Sequence, residues 1–225
     1  MKKAAIALIL SLTLSGGMLT ACGNGKSGEE FGSASQAESS AEIQAPREFE
    51  RGTVSGDVFT SAYAGISLTA PAGWRFYSEK ELMKLMNLSL ELLGTEDLNK
   101  SLLELTVVYD AMVLDESTGN NVIIGYENLA LEVPDPDDYT VTDYISALDG
   151  QFALDLTTAH TKTAEEDIEL GGSTYRKVVY SIQRDTSSFQ QYYYLRKIGN
   201  FIHMIIMTPR DPELVPVLEK QFSGL

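Results

Sequence analysis

The sequence predicts an α+β domain in which an antiparallel β-sheet is sandwiched between helices, in three layers. Three observations lead there. Residues 201–208 (FIHMIIMT) are apolar at both parities, with Phe201, Ile205 and Met207 flanking His203 on one side and Ile202, Met204 and Ile206 on the other. A sheet with one wet face alternates apolar and polar residues, so such a strand needs cover on both faces. Residues 104–114 behave alike, with Leu105, Val107, Tyr109 and Val113 against Val108, Met112 and Leu114. Finally, segments of helical period stand between the strand-like runs and can provide the cover.

The elements follow in order. Residues 58–64 and 66–70 read as short strands turning at Gly65, and Pro71-Ala72-Gly73 breaks the chain before Trp74. Ser78 with Glu81 three residues on is a capping box, opening a helix to about Leu93 with Gly94 as its C-cap. Residues 95–103 suit a second short helix. Two long strands occupy 104–114 and 122–133, and PDPDD at 134–138 stops the second. Thr140 caps a helix to about Leu156, whose stripe is Val141, Tyr144, Ile145, Leu148 and Phe152. Residues 165–170, 175–184, 189–198 and 201–208 form a meander with tight turns at Gly171-Gly172 and Gly199-Asn200. A last helix spans roughly 212–222, with Asp211 as N-cap and Pro216 kinking or delaying it.

Composition bounds the function. The 225 residues carry 17 Lys+Arg against 32 Asp+Glu, a net charge of −15, which opposes nucleic-acid binding because a basic face is needed to displace counterions from phosphates. A single Cys excludes an intrachain disulfide and a thiolate metal cluster. The chain begins with Met1-Lys2-Lys3, continues as an apolar run at 4–14, and reaches Leu19-Thr20-Ala21-Cys22, the three-part design of a secretory signal. The run falls short of the roughly 20 residues that a spanning helix needs.

Leu19, Thr20, Ala21 and Cys22 resemble the lipobox of bacterial lipoproteins. That resemblance implies a signal peptide over 1–21, diacylglyceration of the Cys22 thiol, and cleavage just before it. Two acyl chains hold a protein firmly where one binds only marginally. The membrane is then a partner through the lipid on Cys22, and the expected location is the extracytoplasmic face of the cell membrane. Residues 22–56, rich in Gly, Ser, Ala and Glu, read as a flexible tether with an r.m.s. reach of about 30–35 Å. Residues 57–225 form the folded domain.

The opening YAGISLTAPAGW at 63–74 and the closing YYYLRKIGNFIHMIIMT at 192–208 resemble the PsbP-like family. The resemblance covers nearly all of 57–225 and implies a fold, with no catalytic residues to carry over.

Chemistry is sparse. There is no G-x-S-x-G elbow, no phosphate-cradling Gly motif, and no His pair at metal-ligand spacing, so neither an enzyme nor a cofactor is expected. His203, in an apolar strand, reads as a hydrogen-bonded core residue, and His160 as a residue solvated or resting at a helix C-terminus. Asp135, Asp137 and Asp138 fail the EF-hand pattern, because Thr140 and Ser146 stand where Gly and Glu are needed. Tyr192 and Tyr194 share one parity, Phe189 and Tyr193 the other. Cross-strand aromatic pairing is the first reading. The second is a groove in which Tyr192 and Tyr194, flanked by Arg184 and Arg196, hold a peptide or glycan. The expected function is a non-enzymatic binding or assembly module for an unknown protein, peptide or glycan. The alternative is a small-molecule delivery or sensor lipoprotein with a pocket between helix and sheet.

Overall fold

The structure, a computed structural model, describes residues 48–95, 97–184 and 187–225. Leu19, Thr20, Ala21, Cys22 and the tether up to residue 47 lie outside the described residues. Two antiparallel sheets carry the fold. The smaller joins β1 (Thr53–Ser55), β2 (Val58–Ser61), β3 (Ile66–Thr69) and the C-terminal β11 (Phe222–Gly224) in that order. The larger holds β4 (Arg75–Phe76), β5 (Val107–Leu114), β6 (Asn121–Asn128), β7 (Ala159–Leu170), β8 (Ser173–Arg184), β9 (Ser187–Ile198) and β10 (Phe201–Thr208). Its order is β4-β5-β6-β10-β9-β8-β7.

β10 sits in the middle of that sheet, paired to β6 and β9, which explains its apolar residues on both sides. Ile202, Met204 and Ile206 face a cluster built with the helices α1 (Glu79–Leu85), α2 (Asp97–Leu103) and α4 (Val141–Leu154). Phe201, Ile205 and Met207 face Phe59, Ile66 and Leu68 of the small sheet, with Val215 and Leu218 of α5 (Val215–Glu219). Both faces are therefore covered, as the sequence requires, but only one cover is chiefly helical. The other is the small sheet with α5. Its short strands could not bury their own apolar side chains without the large sheet beneath them.

Local differences from the sequence reading have identifiable causes. α1 stops at Leu85 because Asn87 takes a left-handed conformation (φ 56°). The N–H of Leu88 returns to the Met83 carbonyl and that of Asn87 to the Lys84 carbonyl, a Schellman close with Asn in the usual Gly place. Gly94 (φ 74°) instead follows a 3₁₀ turn at Leu90–Leu92. Residues 129–132 leave the sheet as the short helix α3 (Leu129–Glu132), because the Asn128 side chain accepts from the Ala130 N–H and caps it. Asp211 caps as expected, accepting from the Glu213 N–H, but the following helix ends at Glu219 and Phe222 begins β11. The tether boundary at residue 56 is too late. Phe49 stacks on Phe201 at 4.8 Å, and residues 53–55 are already a strand.

A β-bulge in β5 overturns one face assignment. Tyr109 and Ala111 pair with successive β6 residues, Gly125 and Ile124, leaving Asp110 as the extra residue. Leu105, Val107 and Tyr109 pack on the helical side, whereas Ala111 and Val113 face the small sheet. One inserted residue shifts the two-residue period, so simple alternation placed Tyr109 and Val113 together wrongly.

Gly125 is required opposite this bulge. A Cβ there would stand 2.8 Å from the Val108 carbonyl oxygen. Gly125→Ala should therefore lower the unfolding free energy by about 1–3 kcal/mol, the usual range for overpacking. Urea denaturation measures it as a lower midpoint, and an unchanged midpoint would show that the bulged backbone yields freely.

Candidate functional site

The bulge, the chain entry and the first helix together build a cleft of about 810 Å³. One wall is the strap of residues 50–57. Phe49 anchors that strap among Phe201, Tyr126 and Tyr63, at ring separations of 4.8, 5.1 and 5.3 Å. Gly52 lies so close to the Phe59 ring that a Cβ would meet it at 2.3 Å. The facing wall comes from residues 74–79 and the helices α1 and α2. Pro71 and Gly73 make the turn that presents Trp74, whose N–H donates to the Pro71 carbonyl. Arg75 is held by both Glu81 oxygens (2.9 and 3.1 Å) and by Glu116 (2.7 Å), and lies 5.3 Å from the Tyr77 ring centre. The Arg75 guanidinium above all, helped by the Ser78 N–H and hydroxyl, holds the Glu81 carboxyl down at about 2 against the opposing effect of burial.

At the back stands Asp110, turned out of the ladder by the bulge and 2% exposed. Its Oδ1 accepts from the Gly52 N–H at 2.8 Å and lies 3.6 Å from Arg51 Nε. Oδ2 is buried with no partner at hydrogen-bond distance. Burial pushes its pKa up to about 6, against Arg51, the Gly52 N–H and the nearby Tyr126 hydroxyl. Arg51 reaches Glu79 as well, at 3.4 Å.

A second buried carboxyl, Glu127, lies under α4. The Tyr144 hydroxyl donates to its Oε2 at 2.7 Å, and burial raises its pKa to about 7, with Glu132 adding to the rise. The cavity beside it is about 40 Å³, room for a water molecule and little more.

The residues singled out from sequence are placed differently. Tyr192 and Tyr194 do share a face, but it is the buried face against the small sheet, and Tyr194 is fully enclosed. The Tyr194 hydroxyl donates to Glu219 at 2.8 Å, and Lys177 meets the same oxygen at 2.8 Å while lying over both tyrosine rings. Arg196 is spent on the Ala64 carbonyl and the Tyr175 ring. Arg184 is opposite Ser187 at the hairpin end, while Tyr192 is opposite Val179. The proposed groove of Tyr192, Tyr194, Arg184 and Arg196 is thus not assembled, because the small sheet and α5 occupy the face it needs.

His203 is buried, 3.0 Å from the Tyr175 hydroxyl through Nδ1, and burial with Arg196 lowers its pKa to about 3. It stays neutral, as a core histidine should. His160 stacks on Phe152 at 4.0 Å beyond α4. In the loop of Asp135, Asp137 and Asp138 the carbonyls of Pro136 and Asp137 hold Lys197. Among the described residues no three His, Cys, Asp or Glu gather to hold a metal, and no helix is long and apolar enough to cross a membrane. The residues missed from sequence are Arg51, Trp74, Asp110 and Glu127. The last two had a signal, since each is a lone acid inside an otherwise apolar strand.

Glu127 and Asp110 make stability depend on pH. Each folded-state pKa is raised, so the fold favours the protonated acid and loses stability as pH rises from about 4 through 6 for Asp110 and 7 for Glu127. Thermal melting should fall between about pH 6.5 and pH 8; below that, the lowered pKa of buried His203 works against the trend. Glu127→Gln, which keeps an acceptor for Tyr144, should flatten that slope and melt above the wild type at pH 8. Equal slopes for the two proteins would refute this assignment.

No family model matches the chain, and no curated protein matches it. Among solved structures it is similar to the cyanobacterial PsbP (CyanoP) of Synechocystis sp. PCC 6803, with 11% identity and a TM-score of 0.46 over 84% of this chain and 98% of that one. It is also similar to a protein from Bacteroides thetaiotaomicron VPI-5482, with 9% identity and a TM-score of 0.41 over 76% of this chain and 48% of that one. These likenesses concern the fold and assign no residue a role.

Proposed function

We propose that this protein is a lipid-anchored, extracytoplasmic binding module that takes its ligand in the cleft between the strap and α1. The cleft carries the binding half of the reading: it is concave, roomy, and lined by aromatic and ionic groups on rigid elements. The anchor half rests on residues 19–22. In this reading the PsbP-like domain works as three stacked layers, with helices outside one face of the large sheet and the small sheet with α5 outside the other. The module is non-enzymatic. Its cleft arginines are already paired with carboxylates, and both histidines are engaged elsewhere. The alternative seat, between α4 and the sheet, has room only for a water-sized guest.

Cells fed a radioactive fatty acid should label the wild-type protein and not Cys22→Ala, which should leave the membrane fraction. Retention of label by the variant would remove the anchor. Trp74, the only tryptophan in the chain, lines the cleft and reports on occupancy. A ligand seated there should shift its emission, and a ligand that binds without any shift would move the site elsewhere.

A further inference from the structure

The back of the cleft is an unfinished sheet edge. β4 pairs with β5 only at Val113 and Leu114, and Tyr77 adds one bond to the Met112 carbonyl. Before that point the outward backbone groups of β5 have substitutes for strand partners. The Tyr109 N–H points to the Met86 thioether at 3.4 Å, a weak acceptor, and the Asp110 carbonyl receives the Arg51 Nη2 at 3.4 Å, long for such a bond. Across the cleft, Thr53 and Val54 belong to β1, the outermost strand of the small sheet. The cleft therefore lies between the edge of β5 that β4 leaves without a strand, reached at Asp110, and β1, the outer strand of the small sheet among the described residues.

Its charge is specific. Glu50, Asp57, Glu79, Glu81 and Asp110 line it against Arg51 and Arg75, five carboxylates to two guanidiniums, a net of −3. Trp74 and Tyr77 add aromatic surface that attracts cations.

We propose that the cleft receives an extended, basic peptide segment, which adds as a strand to the outer edge of β5 and places its lysine or arginine side chains among these carboxylates. This rests on the cleft being the binding site, and it names the partner that site fits. Main-chain bonds would replace the Met86 and Arg51 substitutes and provide affinity, while the carboxylates select the charge. Arg51 need not leave, because Glu79 and Asp110 still hold it.

The test uses the full-length protein and the hexapeptide acetyl-KVKTKV-amide. Trp74 emission reports binding, and hydrogen exchange reports the amides of residues 108–111. The peptide should shift the emission and slow exchange at those amides. The same peptide N-methylated at alternate residues keeps its charge but loses donors, and should bind about tenfold more weakly or worse, as expected for losing a few hydrogen bonds. The acidic analogue acetyl-EVETEV-amide should not bind. The double variant E50K/E79K changes two exposed residues and turns the cleft charge to +1, so it should prefer the acidic peptide.

Emission shifts with unprotected amides, or equal binding by the N-methylated peptide, would overturn strand addition while leaving the cleft as a binding site. Spermidine that shifts Trp74 where the peptide does not would likewise overturn it in favour of a small cation. If neither peptide nor spermidine moves the emission, strand addition fails and the cleft loses its claim as well.

Discussion

The fold depends on a sheet whose central strands expose almost nothing on either face. β6 and β10 are buried along nearly their whole length, and each sends apolar side chains both ways. A strand of this kind stays in water only under two covers. α1, α2 and α4 provide one, and the small sheet with α5 the other. Polar atoms inside the resulting core must then find partners. Four enclosed tyrosines do so with Ser61, His203, Asp149 and Glu219, which ties the sheets to one another and to the surrounding helices. The aromatic bodies supply apolar surface, and the hydroxyls keep a single arrangement favourable.

Against that background the cleft is the place where regularity is given up. A bulge ejects Asp110 from its ladder, Gly125 makes room for the deviation, and the strap bends over the buried carboxyl to donate the Gly52 N–H. A buried carboxylate with one unsatisfied oxygen costs stability. Here it sits at the back of the cleft, which agrees with the tendency of bulges to re-aim side chains near functional sites.

Much of this was legible beforehand. Hydrophobic parity identified the central strands, and the Ser78–Glu81 box and the Thr140 cap located two helix starts. The last four strands followed from their turns, except that β7 begins at Ala159, within the segment read as a loop before residue 165. What was not legible involved competition between distant segments. Residues 222–224 have little to distinguish a helix end from a strand, and β3 decides by pairing with them. Phe49 looked like a stray aromatic in a polar tether, because nothing local reveals the Tyr126 and Phe201 rings waiting for it. The tyrosine groove failed for the same reason: parity shows which side chains share a face, but not what lies on top of it.

The two ends of the large sheet are unlike. The far border, β7, is twelve residues long and mostly exposed, and it carries Lys162, Glu165, Glu166, Asp167 and Glu169 with a bulge of its own. Such a rim repels another copy of itself. A sheet extendable from both sides would grow into fibres as copies add to one another. With this border closed by charge, a strand added at the opposite border would have no free edge beyond it to continue the series.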